Sequence, residues 1–138
     1  MTTRPALALR RLTRGGVGQR ERGSSSIQLV VLLPALFTLM FLGVQAALVY
    51  QGRTIALAAA QEGARAAAGE NGSAGDGITT AQSFVSTTTA GLKDTKVTAN
   101  RTATEASITV TTNTVSVIPG WTPTIRQSAS MPVERITG

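Results

Sequence analysis

The chain has 138 residues, with thirteen Lys and Arg against seven Asp and Glu, and it contains no Cys and no His. The missing Cys excludes a disulfide framework and a thiolate metal site, and the missing His removes the commonest general base and metal ligand. The net charge of +6 is concentrated at one end: Arg4, Arg10, Arg11, Arg14, Arg20 and Arg22 face only Glu21 in residues 1–22, while residues 53–138 are nearly balanced.

Residues 1–23 are rich in Arg and Gly and lack apolar periodicity. They read as a disordered basic leader, with a frayed turn near Ala6–Leu12. The leader has no aromatic residue to stack on bases, so no nucleic-acid binding by this chain is expected. A basic cluster beside an apolar segment is instead the positive-inside signal, which keeps the N-terminus cytoplasmic and residues 53–138 outside. Arg10-Arg11 resembles a twin-arginine export signal only in passing. The apolar segment begins well after it and is too long for a signal core of about 7–15 residues.

From Ser24 to Gly52 there is no Asp, Glu, Lys or Arg. The apolar centre, Ile27 to Tyr50, is 24 residues by the numbering. As a helix it extends roughly 36 Å, enough to cross a hydrocarbon core of about 30 Å with some tilt. Residues 24–52 therefore read as a transmembrane helix in contact with membrane lipid. Pro34 has no N–H for the Val30 carbonyl and predicts a kink. Gly43 and Ala47 form a small-xxx-small pair that suits close helix approach, although small residues are common in spans anyway. Gln28 and Gln45 carry primary amides that seek partners in lipid, where interhelical hydrogen bonds are worth on the order of 0.5–2 kcal/mol.

Residues 53–69 continue the helix outside the membrane: RTIALAAAQEGARAAA consists of strong helix formers apart from Gly63. Gln61 and Glu62 are spaced to meet Arg65 on one face. Gly69 to Ser73 ends the helix. A weaker helix is predicted over 76–91, capped by Asp76 and ended by Gly91, with Ile78, Ala81, Val85 and Leu92 on one face. The Thr87–Thr89 run opposes it. From Lys96 the period changes to two. Ile108 and Val110 differ in parity from Val115 and Val117, which predicts a bulge or tight turn near Thr112–Thr114. A last alternation runs from Ile125 to Val133, and Pro123 and Pro132 suit a strand end or sheet edge. The fold class is α+β: a long N-terminal helix, transmembrane in its first half, then residues 70–138 as a small extracytoplasmic domain with a short helix and a three- or four-stranded antiparallel sheet.

Little in this sequence carries chemistry. The acids outside the leader, Glu62, Glu70, Asp76, Asp94, Glu105 and Glu134, form no spaced cluster, so no metal and no cofactor is expected. Gly69–Gly77 lacks the strand and Lys-Ser/Thr context of a phosphate loop. No nucleophile elbow is present, and a Ser paired with Lys93 or Lys96 is the remaining route to a small hydrolase. The expectation is a protein that is not an enzyme. Trp121 reads as core or interfacial packing.

One order of features resembles a known family. The leader ends in Arg22-Gly23, small residues Ser24-Ser25-Ser26 follow, then Ile27, Gln28 and an uncharged span containing Pro34, and then AAAQEGARAAA at residues 58–68. This is similar to the TadE-like pseudopilins of tight-adherence (Tad/Flp) pilus assembly. The resemblance implies a single-pass minor pseudopilin, cut by a prepilin peptidase between Gly23 and Ser24, that works with other pseudopilins or Tad inner-membrane assembly proteins. Together with the small-xxx-small pair Gly43 and Ala47 read from the span itself, it makes Gln28, Pro34, Glu62, Gly63 and Arg65 the assembly residues. The family pattern has Glu at the fifth mature position, where this chain has Gln28, an uncharged acceptor that avoids placing a carboxylate in lipid. The alternative reading keeps the same topology without processing: an anchored envelope protein that binds a partner or a cell-wall polymer.

Overall fold

The computed structural model describes residues 18–88 and 91–135, with side chains from Ser26 onward. Helix α1 spans Gly18–Ala68 and continues through Pro34. Helix α2 spans Ala74–Thr87, and strands β1, β2 and β3 span Lys93–Arg101, Glu105–Asn113 and Thr124–Pro132. The sheet is antiparallel in the order β1-β2-β3. The α+β layout is therefore the one expected, with three strands. Two compact units divide the chain between Phe37 and Thr38.

In the first unit the helix begins earlier than Ser24. Residues 18–23, read as part of a disordered leader, are helical. Arg20, Glu21 and Arg22 are good helix formers, and Gly23 alone does not stop a helix already under way. The frayed turn expected near Ala6–Leu12 lies outside the described residues. From Ile27 to Phe37 every large apolar side chain is exposed, a surface that suits acyl chains.

In the second unit the core forms where α1 turns to alanine. Gly52, Ala56, Ala59, Ala60, Gly63, Ala64 and Ala67 are buried at three- and four-residue steps, one stripe of the helix. Small side chains let the sheet and α2 come close. The central strand β2 alternates as expected, burying Ala106, Ile108, Val110 and Thr112. Val97 lies opposite Val110, and Ala129 opposite Ile108. Ile125 from β3 and Ala81 and Val85 from α2 complete the cluster.

Several boundaries differ from the sequence reading. The cap of α2 is Ser73, not Asp76. Ser73 Oγ accepts the Asp76 N–H at 3.1 Å, and Asp76 Oδ2 accepts the Ser73 N–H at 2.9 Å, a reciprocal capping box. The helix stops at Thr87, within the β-branched run, so Gly91 and Leu92 fall outside it. Gly91, at φ +63°, instead lies just ahead of β1. The irregularity expected near Thr112 is present on the partner strand: the register shifts between Lys93 and Lys96, where Thr112 Oγ1 donates to the Lys93 carbonyl at 3.1 Å. Strand β2 itself ends at Asn113, so Val115 and Val117 belong to a loop. Pro123 precedes β3 and Pro132 closes it, on an edge strand as predicted. Trp121 is 48% exposed and not part of the core.

Candidate functional site

The residues singled out in the sequence do not converge on one pocket. Gly23 and Ser24 lie in the helical backbone of α1. Gln28 and Pro34 are exposed on the same helix. Gly43 and Ala47 are also exposed, and a Cβ added at Gly43 would meet nothing within 4 Å. A small-residue face open to close approach by another helix is therefore present there.

The EGAR run divides between two faces of α1. Glu62 and Arg65 meet on the outside, with Arg65 Nη1 3.3 Å from Glu62 Oε2. An exposed i,i+3 pair of this kind contributes only a few tenths of a kcal/mol. Gly63 faces inward and marks the closest approach of α1 to α2. A Cβ there would lie 2.6 Å from the Gly77 carbonyl oxygen and 2.9 Å from the Ala81 Cβ. Gly77 returns the constraint: its Cβ would be 2.9 Å from the Gly63 carbonyl oxygen and 2.8 Å from Ile108 Cδ1. Glycine at both positions lets two helical backbones touch.

The end of α1 is held by groups that sequence reasoning missed. Arg101, closing β1, donates through Nε to the Ala67 carbonyl at 2.7 Å and through Nη2 to the Gly69 carbonyl at 3.4 Å. The Glu134 N–H donates to the Ala68 carbonyl at 3.0 Å. These carbonyls have no partner inside the helix, and a cation at a helix C-terminus also suits its dipole. No local signal announces the pairing, because Arg101 lies 34 residues from Ala67.

The second missed contact is at Gln45. Its side chain is 3% exposed, and its Oε1 accepts the Val117 N–H at 2.8 Å and the Ser116 hydroxyl at 3.0 Å. The amide that invited an interhelical partner is thus engaged by this chain's own loop between β2 and β3. Its Nε2, like Thr114 Oγ1, is buried without a hydrogen-bond partner among the described residues.

Titration chemistry is sparse. Asp76 has a carboxyl held below its ordinary value of 3.8, first by the hydrogen bond from the Ser73 hydroxyl and then by that from the Ser73 backbone N–H. Among the described residues no group of three or more His, Cys, Asp or Glu is placed to hold a metal ion. The arrangement is one for packing helices.

Residues 23–65 match the family model for TadE-like protein. The TadE-like stretch contains every processing and assembly residue named from the sequence, Gly23 to Arg65, and stops short of α2 and the sheet. It points to a Tad pilus-related component of structural type. Among the described residues one helix is long and apolar enough to cross a membrane, which fits a single-pass membrane protein. No curated protein and no solved structure matches the chain.

Proposed function

We propose that this chain is a single-pass TadE-like minor pseudopilin, with its N-terminus cytoplasmic, that supports assembly of a Tad-type pilus or related secretion apparatus after a prepilin peptidase cuts between Gly23 and Ser24. One observation carries the reading: the TadE-like match begins at Gly23, the residue between the charged Arg20-Glu21-Arg22 and an uncharged run that extends to Gly52. Processing removes most of the positive charge and leaves Ser24 as the mature N-terminus. Gln28 then stands at the fifth mature position, able to accept a hydrogen bond from a neighbouring α-amino group without burying a carboxylate. An accessory subunit fits that chemistry better than a main filament subunit. Its partners are membrane lipid, the peptidase, and other pseudopilins or Tad inner-membrane proteins. Gly43 and Ala47 offer the helix face, and Pro34 sets the path of the backbone.

The test is the N-terminus of the protein extracted from the membranes of its native host, read by intact mass and peptide mapping. A start at Ser24, abolished by Gly23→Leu, is the expected result. A start at Met1 beside an active peptidase refutes it. That outcome favours the second reading, an unprocessed anchored envelope protein that binds a partner or a cell-wall polymer, for which the Gln28 departure is the motivating observation.

A further inference from the structure

We propose that the loop between β2 and β3, Val115 to Trp121, seats in the membrane interface beside α1 as a second contact with lipid that does not span. The inference rests on the single-pass reading and adds a depth at which the outer domain meets the bilayer.

The first argument is length. The apolar helix from Ile27 to Ala46 is twenty residues by the numbering. At ~1.5 Å per residue that is about 30 Å, the whole hydrocarbon thickness. The apolar run nevertheless continues to Tyr50. The loop sits along the last turns of that length and the extra one. Val117, Ile118 and Pro119 border a groove with Thr38, Phe41 and Leu42, and Trp121 borders a second with Leu42, Val49, Tyr50 and Arg53. The loop therefore flanks the helix where the hydrocarbon gives way to headgroups.

The second argument is composition. No charged residue occurs between Glu105 and Arg126. Within that stretch Val115 is 41% and Trp121 48% exposed, and Pro119 is exposed as well. A loop facing water would not concentrate its apolar side chains outward. Tyr50, Arg53 and Trp121 around one groove are the aromatic and cationic groups that favour the headgroup level.

The third argument is backbone satisfaction. The Thr114 and Trp121 N–H groups donate to the Pro123 and Ile118 carbonyls, the Val117 N–H to Gln45 and the Ile118 N–H to the Ser116 hydroxyl. Pro119 and Pro123 have no N–H to satisfy. The Val115, Ser116 and Gly120 N–H groups find no partner among the described residues and are left to headgroups and water, which a seat at the interface allows and the hydrocarbon would not.

Trp121 is the only tryptophan, so the test needs no labelling. The full chain is reconstituted into phosphatidylcholine vesicles whose acyl chains carry bromine either near the headgroup or near the chain end. The expected result is a blue-shifted Trp121 emission, quenched more strongly by the shallow bromines, with loss of that quenching in Ile118→Asp while the sheet signal in circular dichroism is retained. Flotation of the vesicles after an alkaline wash reads the span separately. Floating protein with a water-exposed, unquenched Trp121 overturns the loop's seating and leaves the span intact. Blue-shifted emission with no bromine quenching overturns it too and assigns the groove to another protein surface. Failure to float overturns both readings together.

Discussion

Replacing Gly63 and Gly43 each by Ala makes the same chemical change at two points of one helix and isolates the close contact between α1 and α2. At Gly63 the new Cβ would lie 2.6 Å from the Gly77 carbonyl oxygen and 2.9 Å from the Ala81 Cβ. Neither is the far end of a flexible side chain, so the backbones must part. Overpacking of this kind costs typically ~1–3 kcal/mol. Both substitutions also bring the helix preference of Ala over Gly, about 1 kcal/mol, which cancels when the variants are compared with each other. Gly43→Ala meets no neighbour within 4 Å and retains only that gain. The difference between the two is then the contact term alone, roughly 1–3 kcal/mol, and each kcal/mol shifts the melting point by about 4–8 °C for a unit of this size. The assay is thermal unfolding of the full chain in detergent, followed by Trp121 fluorescence and circular dichroism. Two variants that melt together would refute the claim that Gly63 is glycine because two helical backbones touch there.

Three further perturbations bear on the remaining contacts. Arg101→Met removes both side-chain bonds to the end of α1 and should destabilise the domain by about 1.5–3 kcal/mol, with Arg101→Lys restoring only part because an ammonium lacks the guanidinium fork; chemical denaturation of the three proteins measures both steps. Gln45→Leu leaves the Val117 N–H without its acceptor and should cost on the order of 1–3 kcal/mol in the same assay, with a change in Trp121 emission as the loop loosens. Because the folded Asp76 carboxyl titrates below its ordinary value of 3.8, its stabilising contribution is complete above that pH and is lost as the pH falls through the lowered folded value. A chemical-shift titration with a midpoint at or above 3.8 would refute this, and Asp76→Asn should flatten the acid limb of the stability curve.

What could be read from the sequence was whatever rests on local pattern. The uncharged run before Arg53 and the alanines after it gave one long helix, because apolar length and helix propensity are written residue by residue. The period-two alternation through Ile108 and Val110 gave a central strand, since side-chain parity decides which face is buried. The helix boundaries moved where two local preferences competed. Ser73 displaced Asp76 as the cap because each can serve, and their reciprocal hydrogen bonds use both. Arg101 at the end of α1, and Gln45 with Val117, were not legible at all. Each pairs residues more than 30 positions apart, and no local period encodes such a meeting. For Trp121 the sequence left core and interfacial packing open, and its exposure in the loop beside α1 removes the first.

The change of composition along α1 follows from what each part of its surface meets. Up to Val44 the helix shows Leu, Val, Ile and Phe outward, and exposed bulk is favourable when the surrounding medium is acyl chain. Beyond Gln45 the inward positions become Gly and Ala, which bury little area themselves. Their role is distance: with no bulk on the helix, Ile108 and Val110 reach fully buried positions from a sheet that could not otherwise come so near. Gln45 stands at the changeover, and its amide oxygen joins the helix to the loop at the point where large outward side chains give way to small inward ones. The TadE-like match runs from Gly23 to Arg65, through both compositions, and ends before the strands begin. A helix of this kind imposes two demands that substitution cannot easily relax, exposed apolar bulk on one stretch and closeness on the other. The Thr-rich strands that cover it need only alternate, and many sequences alternate.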